Sequence, residues 1–293
     1  MARSGTRRVG GRRRPRAFGP SGTPGHEGGN GSPLLLLHGV GGTWRAWRPV
    51  IPGLERLHHV IAPTLTGHDG ALPVAPEVAP SVAAVADSLE AVLDERGIDR
   101  LHVVGNSLGG WLALELARRG RARSVVAFSP AGAWSSNLRM TLLVASMRAG
   151  FLVGGRLAPR VEAIARSPRA RRLLLGSQVA YPDRLEPAEI AEELRAITRS
   201  PIVRPLIRVL RRQPLLPVPD EPGRPIRIVW PERDRVIPFE HYGAPMMARL
   251  PGAELVRMTG VGHVPMTDDP VGVMERILEV TRPLEHTVDE GRA

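Results

Sequence analysis

The stretch Val103-Val104-Gly105-Asn106-Ser107-Leu108-Gly109-Gly110 decides how the rest of this chain is read. Five of its residues spell G-x-S-x-G. Leu101, Val103 and Val104 are apolar or β-branched and suit a buried strand. Trp111, Leu112, Leu114, Leu116 and Ala117 are mostly good helix formers, and Gly120 stands where a helix ends. A chain that turns from strand to helix within one residue strains its backbone, and small neighbours relieve the crowding. The serine is thereby lifted clear, with its hydroxyl at a helix N-terminus where free N–H groups stabilise an anion. Alone the pattern is weak, because a Gly-rich turn with an incidental serine has the same letters. Its meaning depends on whether a base, an acid and oxyanion donors accompany it.

With 293 residues the chain suits one large domain, or a core carrying an insertion. It has no cysteine, which excludes disulfides, thiolate metal sites and Cys nucleophiles. It has no lysine either, so all 40 basic side chains are arginine. The net charge of +11 is unevenly spread. Residues 1–30 hold seven arginines against Glu27, among Gly, Ser, Pro and Thr. Residues 1–31 are therefore expected to form a disordered tail. It reads either as an arm for nucleic acid or anionic lipid, or as a solvated extension, and the second is preferred. Phe18 stands alone, without the interleaved aromatics of a single-strand binder. No apolar run follows the arginines, and Leu34–Leu37 is too short to span a bilayer, so a cytoplasmic location without a membrane span is expected.

Outward from the serine, strands and helices alternate. Pro33–Leu37 reads as a strand ending in His38-Gly39, followed by the loop Val40-Gly41-Gly42-Thr43-Trp44. Val60–Leu65 is a second strand, ending at the turn cluster Thr66-Gly67-His68-Asp69-Gly70. Ser81 caps a helix that runs to Arg96, with Val82, Val85, Leu89 and Leu93 on one face. Ser124–Phe128 is another buried strand. His38 reads as a loop brace before a turn glycine, and His68 and Asp69 as turn or rim residues. From 131 to 222 the pattern becomes helical and Arg-rich. Asn137–Leu152 is apolar on one side, and helices are expected over Pro187–Arg199 and Pro201–Arg212. Strands resume at Pro225–Trp230 and Ala253–Met258, and a helix over Pro270–Thr281 closes the fold. This predicts an α/β protein: a mainly parallel sheet with helices on both faces, the core made of 32–130 and 223–285, and 131–222 an inserted helical lid.

Three chemical groups now fall at three strand ends in chain order: Ser107, then Asp234 in Trp230-Pro-Glu-Arg-Asp, then His263 after Gly262. With His38-Gly39, this order resembles the α/β-hydrolase fold superfamily over about Pro33 to Arg282. A serine hydroxyl needs a base to take its proton as it attacks, and an imidazole is suited to accept that proton and pass it to a leaving group. His263 fills that role, and Asp234 would hold its tautomer. Glu232 is the rival acid, and Asp234 matches the family position. The oxyanion would meet the backbone N–H of Leu108 and, by the resemblance, of Val40.

The serine also narrows the class. In the dehalogenase and epoxide-hydrolase branches of the superfamily that this chain resembles as a whole, the elbow carries aspartate, so Ser107 disfavours those reactions, and the hydroxynitrile lyases of this fold use a lysine that is missing here. G-N-S-x-G-G is similar to the elbow of carbon–carbon bond hydrolases, although Val264 stands where those enzymes have tryptophan. The family's antiparallel hairpin before the first strand looks missing or poorly formed over Ala17–Asn30. The expectation is a cofactor-independent, metal-free serine hydrolase that cleaves an ester-type bond of a small, largely apolar substrate. Trp44 and Trp134 are expected pocket walls, and no nucleic-acid partner is foreseen. Carbon–carbon hydrolysis of a keto-acid product and a non-catalytic binding member of the fold remain as alternatives. The sequence leaves the oligomeric state open.

Overall fold

A computed structural model describes residues 24–75, 77–134, 137–210, 221 and 223–289. Seven strands form one sheet: β1 Gly25–Gly28, β2 Ser32–Leu37, β3 His58–Pro63, β4 Leu101–Asn106, β5 Ala122–Phe128, β6 Ile226–Pro231 and β7 Glu254–Met258. Their order is β1-β3-β2-β4-β5-β6-β7, and every pair is parallel except β1 with β3. The four leucines of β2 show why so apolar a run makes a strand. Leu35 and Leu37 enter one core while Leu34 and Leu36 enter another across the sheet. Successive side chains point to opposite faces, so a strand covered on both sides needs no polar alternation. Val103 and Val104, and Val125 and Val126, divide between the two cores in the same way. Each such side chain is fully or almost fully buried, worth about 1.5–3 kcal/mol.

Helix α1, Val82–Glu95, starts where expected: the Ser81 hydroxyl accepts from Ala84 N at 3.0 Å. Val82, Val85, Leu89 and Leu93 are buried, and Gly97 ends the helix at φ +65°. Helix α2, Leu108–Arg118, follows β4 directly. The block between β5 and β6 holds α3 Asn137–Leu157, α4 Pro168–Leu175, α5 Pro187–Thr198 and α6 Val203–Leu210. The outer face of α3 departs from expectation. Leu143, Val144 and Met147 turn inward, but Leu138, Leu142, Leu152 and Val153 are exposed. Its apolar residues thus spread around the helix instead of forming one stripe. Among the described residues no helix is long and apolar enough to cross a membrane.

Two expectations about the ends are corrected. The tail stops short of residue 31, because Gly25–Gly28 pairs with β3 as an antiparallel edge strand; residues 1–23 lie outside the described residues. Composition missed β1 because polar contacts carry it. His26 stacks on Trp44 and meets Glu55 at 2.8 Å, while Glu27 pairs with Arg96 at 2.9 Å and His59 at 3.1 Å. This supplies one edge strand where the hairpin looked missing. At the other end, α7 runs from Pro270 to Asp289, past Thr281, where the helix was expected to end. Its Glu285 joins a partly buried network: Ser32 Oγ at 2.6 Å, His102 Nε2 at 2.9 Å, with His58 between Ser32 and Thr281.

Candidate active site

The site begins with the backbone of Ser107, which sits at φ +56° and ψ −114°. A non-glycine residue there costs on the order of 1–3 kcal/mol and persists only where its surroundings enforce it. Hydrogen bonds do so here: Ser107 N donates to Phe128 O at 2.9 Å, and Ser107 O accepts from Trp111 N and Ala131 N. Two glycines make the turn passable. A Cβ on Gly105 would lie 2.0 Å from Gly109 O, and one on Gly109 would lie 2.0 Å from Leu37 O. Only hydrogens fit between these backbones.

Three loops at the carboxyl ends of the strands meet at this elbow. Gly39, after β2, packs against Ser107, since a Cβ there would lie 3.4 Å from the serine Cβ. His263, after β7, is held from the elbow itself, because Asn106 Nδ2 donates to its carbonyl at 2.9 Å and to Phe128 O at 3.2 Å. Asp234, after β6, meets His263 Nδ1 through Oδ2 at 2.7 Å, and both residues are buried. Its other oxygen accepts from Val236 N at 2.9 Å and Ile237 N at 2.8 Å. An ionised carboxylate only accepts, so Nδ1 carries the proton and Nε2 presents its lone pair. Among the described residues the Ser107 hydroxyl and His263 Nε2 make no hydrogen bond, either with each other or with any other group. Glu232 is exposed and has no part in this chain of contacts.

The Leu108 amide is the first of α2 and has no intrahelical acceptor. Val40 is the second residue of a turn closed by Gly42 N to Gly39 O at 3.1 Å, with Gly41 at φ +78°; that closure leaves the Val40 amide unused. His38 braces this loop. Its Nε2 accepts from Leu65 N at 2.9 Å and its Nδ1 faces Gly39 O at 2.8 Å. Burial, with His68 edge-on beside it, keeps His38 neutral, and burial pushes His68 down to about 4. Asp69 is engaged by Arg199 of the insertion at 2.6 Å. Both turn residues are structural, as their positions suggested.

Of the two expected pocket walls, Trp134 stands partly buried, edge-on to Trp111 at 5.7 Å, four residues beyond the serine. Trp44 is a correction. Its ring is packed into the core below the sheet and stacked on His26, so little surface is left to line a cleft. The neighbouring Thr43 instead ties the loop to the insertion, donating to Glu193 of α5 at 3.3 Å. Burial pushes the Glu193 carboxyl up to about 7, with Thr43 and Arg45 opposing.

Sequence reasoning passed over three site residues. Asn106 lay inside the quoted motif with no side-chain role. Glu193 looked like one more polar residue of an amphipathic helix. Asp268 is buried five residues beyond His263. Its Oδ2 accepts from Gly262 N at 2.8 Å and Ala180 N at 2.8 Å, and its Oδ1 accepts from Tyr181 N at 3.0 Å. It therefore ties the histidine loop to the insertion, where Val264 N also donates to Gln178 O at 2.9 Å. An acidic pair before a helix reads as an N-cap signal, and Asp269 fills that role by accepting from Gly272 N. Among the described residues no group of three His, Asp or Glu is arranged to hold a metal.

Comparison with known proteins gives this geometry a context. Residues 34–276 match the profile of the alpha/beta hydrolase family. Epoxide hydrolase EphH of Mycobacterium tuberculosis is 35% identical over 202 residues, covering 67% of this chain and 93% of that protein. The 2-hydroxy-6-oxo-2,4-heptadienoate hydrolase of Pseudomonas putida is 38% identical over 97 residues, 32% of this chain and 35% of that one. Among solved structures, a thermophilic esterase from Thermogutta terrifontis superposes with a TM-score of 0.67 at 22% identity, covering 92% of this chain and 97% of its own. At that identity the likeness speaks for the fold alone.

Proposed function

This chain belongs to the alpha/beta hydrolase family, and from that premise we propose that it is a serine hydrolase cleaving an ester-type bond of a small, largely apolar substrate. The observation that carries the reading is the buried His263–Asp234 pair at 2.7 Å, anchored by Asn106 next to the strained Ser107. Ser107 Oγ attacks the carbonyl carbon while His263 Nε2 takes its proton. The carbonyl oxygen gains the negative charge and meets the amides of Leu108 and Val40, each donor worth about 3–4 kcal/mol in such sites. The C–O bond then breaks, and the imidazolium returns the proton to the departing alcohol. Water repeats the cycle on the acyl-enzyme, freeing acid and serine. Asp234 fixes the imidazole and balances its charge throughout. No group outside the chain is required. The insertion serves as the lid, with Trp134 and the inward residues of α3 facing the acyl part.

A second reading has one specific observation in its favour, the local similarity to a carbon–carbon hydrolase over a third of the chain. A third, epoxide opening, takes its support from the mycobacterial relative, but the nucleophile position here is serine. Three substrates separate these readings: a short p-nitrophenyl ester, a vinylogous diketone and styrene oxide. Turnover of the ester alone, with fluorophosphonate labelling lost in Ser107→Ala, is the expected result. Turnover of only the diketone or only the epoxide replaces the ester reading. Folded protein that neither labels nor turns over any of them is a binding member of the fold.

A further inference from the structure

Outside the histidine–aspartate pair, a cavity of about 390 Å³ opens between the insertion and the loop after β6. Arg172, Arg184, Arg233 and Arg235 line it, with Tyr181 on its wall and Asp183 as its one carboxylate. Arg172 pairs with Asp183 at 2.6 Å. The other three guanidinium groups meet only carbonyls and an aromatic ring. Arg184 stacks over Tyr181 at 4.0 Å and reaches Asp268 O at 3.4 Å; Arg233 lies 5.7 Å from the same ring; Arg235 reaches Gly176 O at 3.4 Å. Among the described lining residues, four cations against one anion leave three positive charges around one hollow.

From this charge and shape we propose that the cavity binds a phosphorylated small molecule of roughly the size of a nucleoside diphosphate.

The surplus charge calls for a multiply charged anion, and the planar fork of arginine matches phosphoryl oxygens two at a time. The volume falls in the range of small-molecule sites, about 300–1,000 Å³, and exceeds what a lone phosphate fills. The wall is also held in advance. The Ala180 and Tyr181 amides are clamped by Asp268, and Arg233 and Arg235 project to solvent on either side of the buried Asp234. The backbone wall therefore needs no ordering on binding, and only the exposed arginine side chains have to close on the ligand. Its position differs from that of the acyl substrate: none of Gly39, Ser107 or Trp134 lines it.

The test is calorimetric titration of the full chain with inorganic pyrophosphate and with ADP, beside flotation on vesicles containing phosphatidic acid. Saturable 1:1 binding of a soluble ligand is expected. Arg184→Gln with Arg233→Gln together should weaken it by about a hundredfold, at roughly tenfold for each charge-assisted contact. Asp183→Asn removes the competing carboxylate and should tighten binding about threefold, on the order of 0.6 kcal/mol. Arg48→Gln, at an exposed arginine outside the cavity, should leave it unchanged. The proposal is overturned if neither soluble ligand binds, if only vesicles do, or if Arg48→Gln weakens binding as much as the paired substitution.

Discussion

The two ends of the parallel sheet each bury a histidine against a carboxylate, and the two pairs differ in what they leave free. At the carboxyl end His263 Nδ1 meets Asp234 at 2.7 Å, and Nε2 is uncommitted beside the elbow. At the amino end His102 is saturated, with Nδ1 on Ser124 at 2.7 Å and Nε2 on Glu285 at 2.9 Å. His58 beside it is likewise held from both sides, by Ser32 at 3.0 Å and Thr281 at 2.9 Å. Burial and a carboxylate partner are therefore not enough to mark a base. The distinguishing feature is a ring nitrogen without a hydrogen bond, on a loop that Asn106 ties to the strained turn of the proposed nucleophile.

The sharpest way to break this contrast is to remove each ring in turn. His263→Gln should lower kcat for an accepted ester by roughly 10³-fold or more, as should Ser107→Ala, with little change in the urea midpoint. Asp234→Asn should cost about 10⁴-fold, because the amide imposes the wrong tautomer on the imidazole. His102→Gln should do the reverse, preserving kcat and lowering stability. Equal kcat losses from His263→Gln and His102→Gln would erase the distinction.

A pH series sharpens it further. Burial depresses the basicity of His38, His58, His68 and His102, with His68 and His102 at about 4. The unfolded chain takes up protons near 6.5 while the folded chain does not. Their stabilising contribution is therefore complete above pH 6.5 and lost as pH falls toward 4. For His102 alone the loss is on the order of 3 kcal/mol. Urea midpoints measured from pH 7 to pH 4 should fall steeply in the wild type and less steeply in His102→Gln.

Asp268 links the reactive end to the insertion, so Asp268→Asn should affect both properties. Replacing an acceptor oxygen with an amide that faces backbone donors should cost about 2 kcal/mol of stability. It should also lower kcat for the ester by about tenfold through the loosened His263 loop. A stability loss with kcat unchanged would make it a purely structural tie. The smallest effect is expected at Glu193. Its carboxyl is raised to about 7, so ionisation works against the folded state as pH rises from about 4.5 through 7. Glu193→Gln should add about 1 kcal/mol at pH 8 and nothing at pH 4, read from the same midpoints.

What could be read from the letters was what local rules govern. The Leu34–Leu37 run, the Ser81 cap and the serine elbow each announce themselves within a few residues. The order Ser107, Asp234, His263 needed only the strand ends to be found. What escaped depends on partners far along the chain. β1 looked too polar to be a strand because its support comes from Glu55, Arg96 and His59. Trp44 looked like a pocket wall until His26 covered it. Asp268 and Glu285 are single acidic letters whose roles exist only once residues 87 and 253 positions away are brought to them.

The antiparallel strand Gly25–Gly28 has a bearing on how copies of this molecule meet. A sheet that stopped at β3 would present a full-length rim of unpaired amides and carbonyls for another chain to zip onto. Four residues studded with an imidazole and a carboxylate, both already engaged, offer a stranger too short and too wet a foothold. Trimming the chain to residue 31 would strip that selvage and bare the rim of β3.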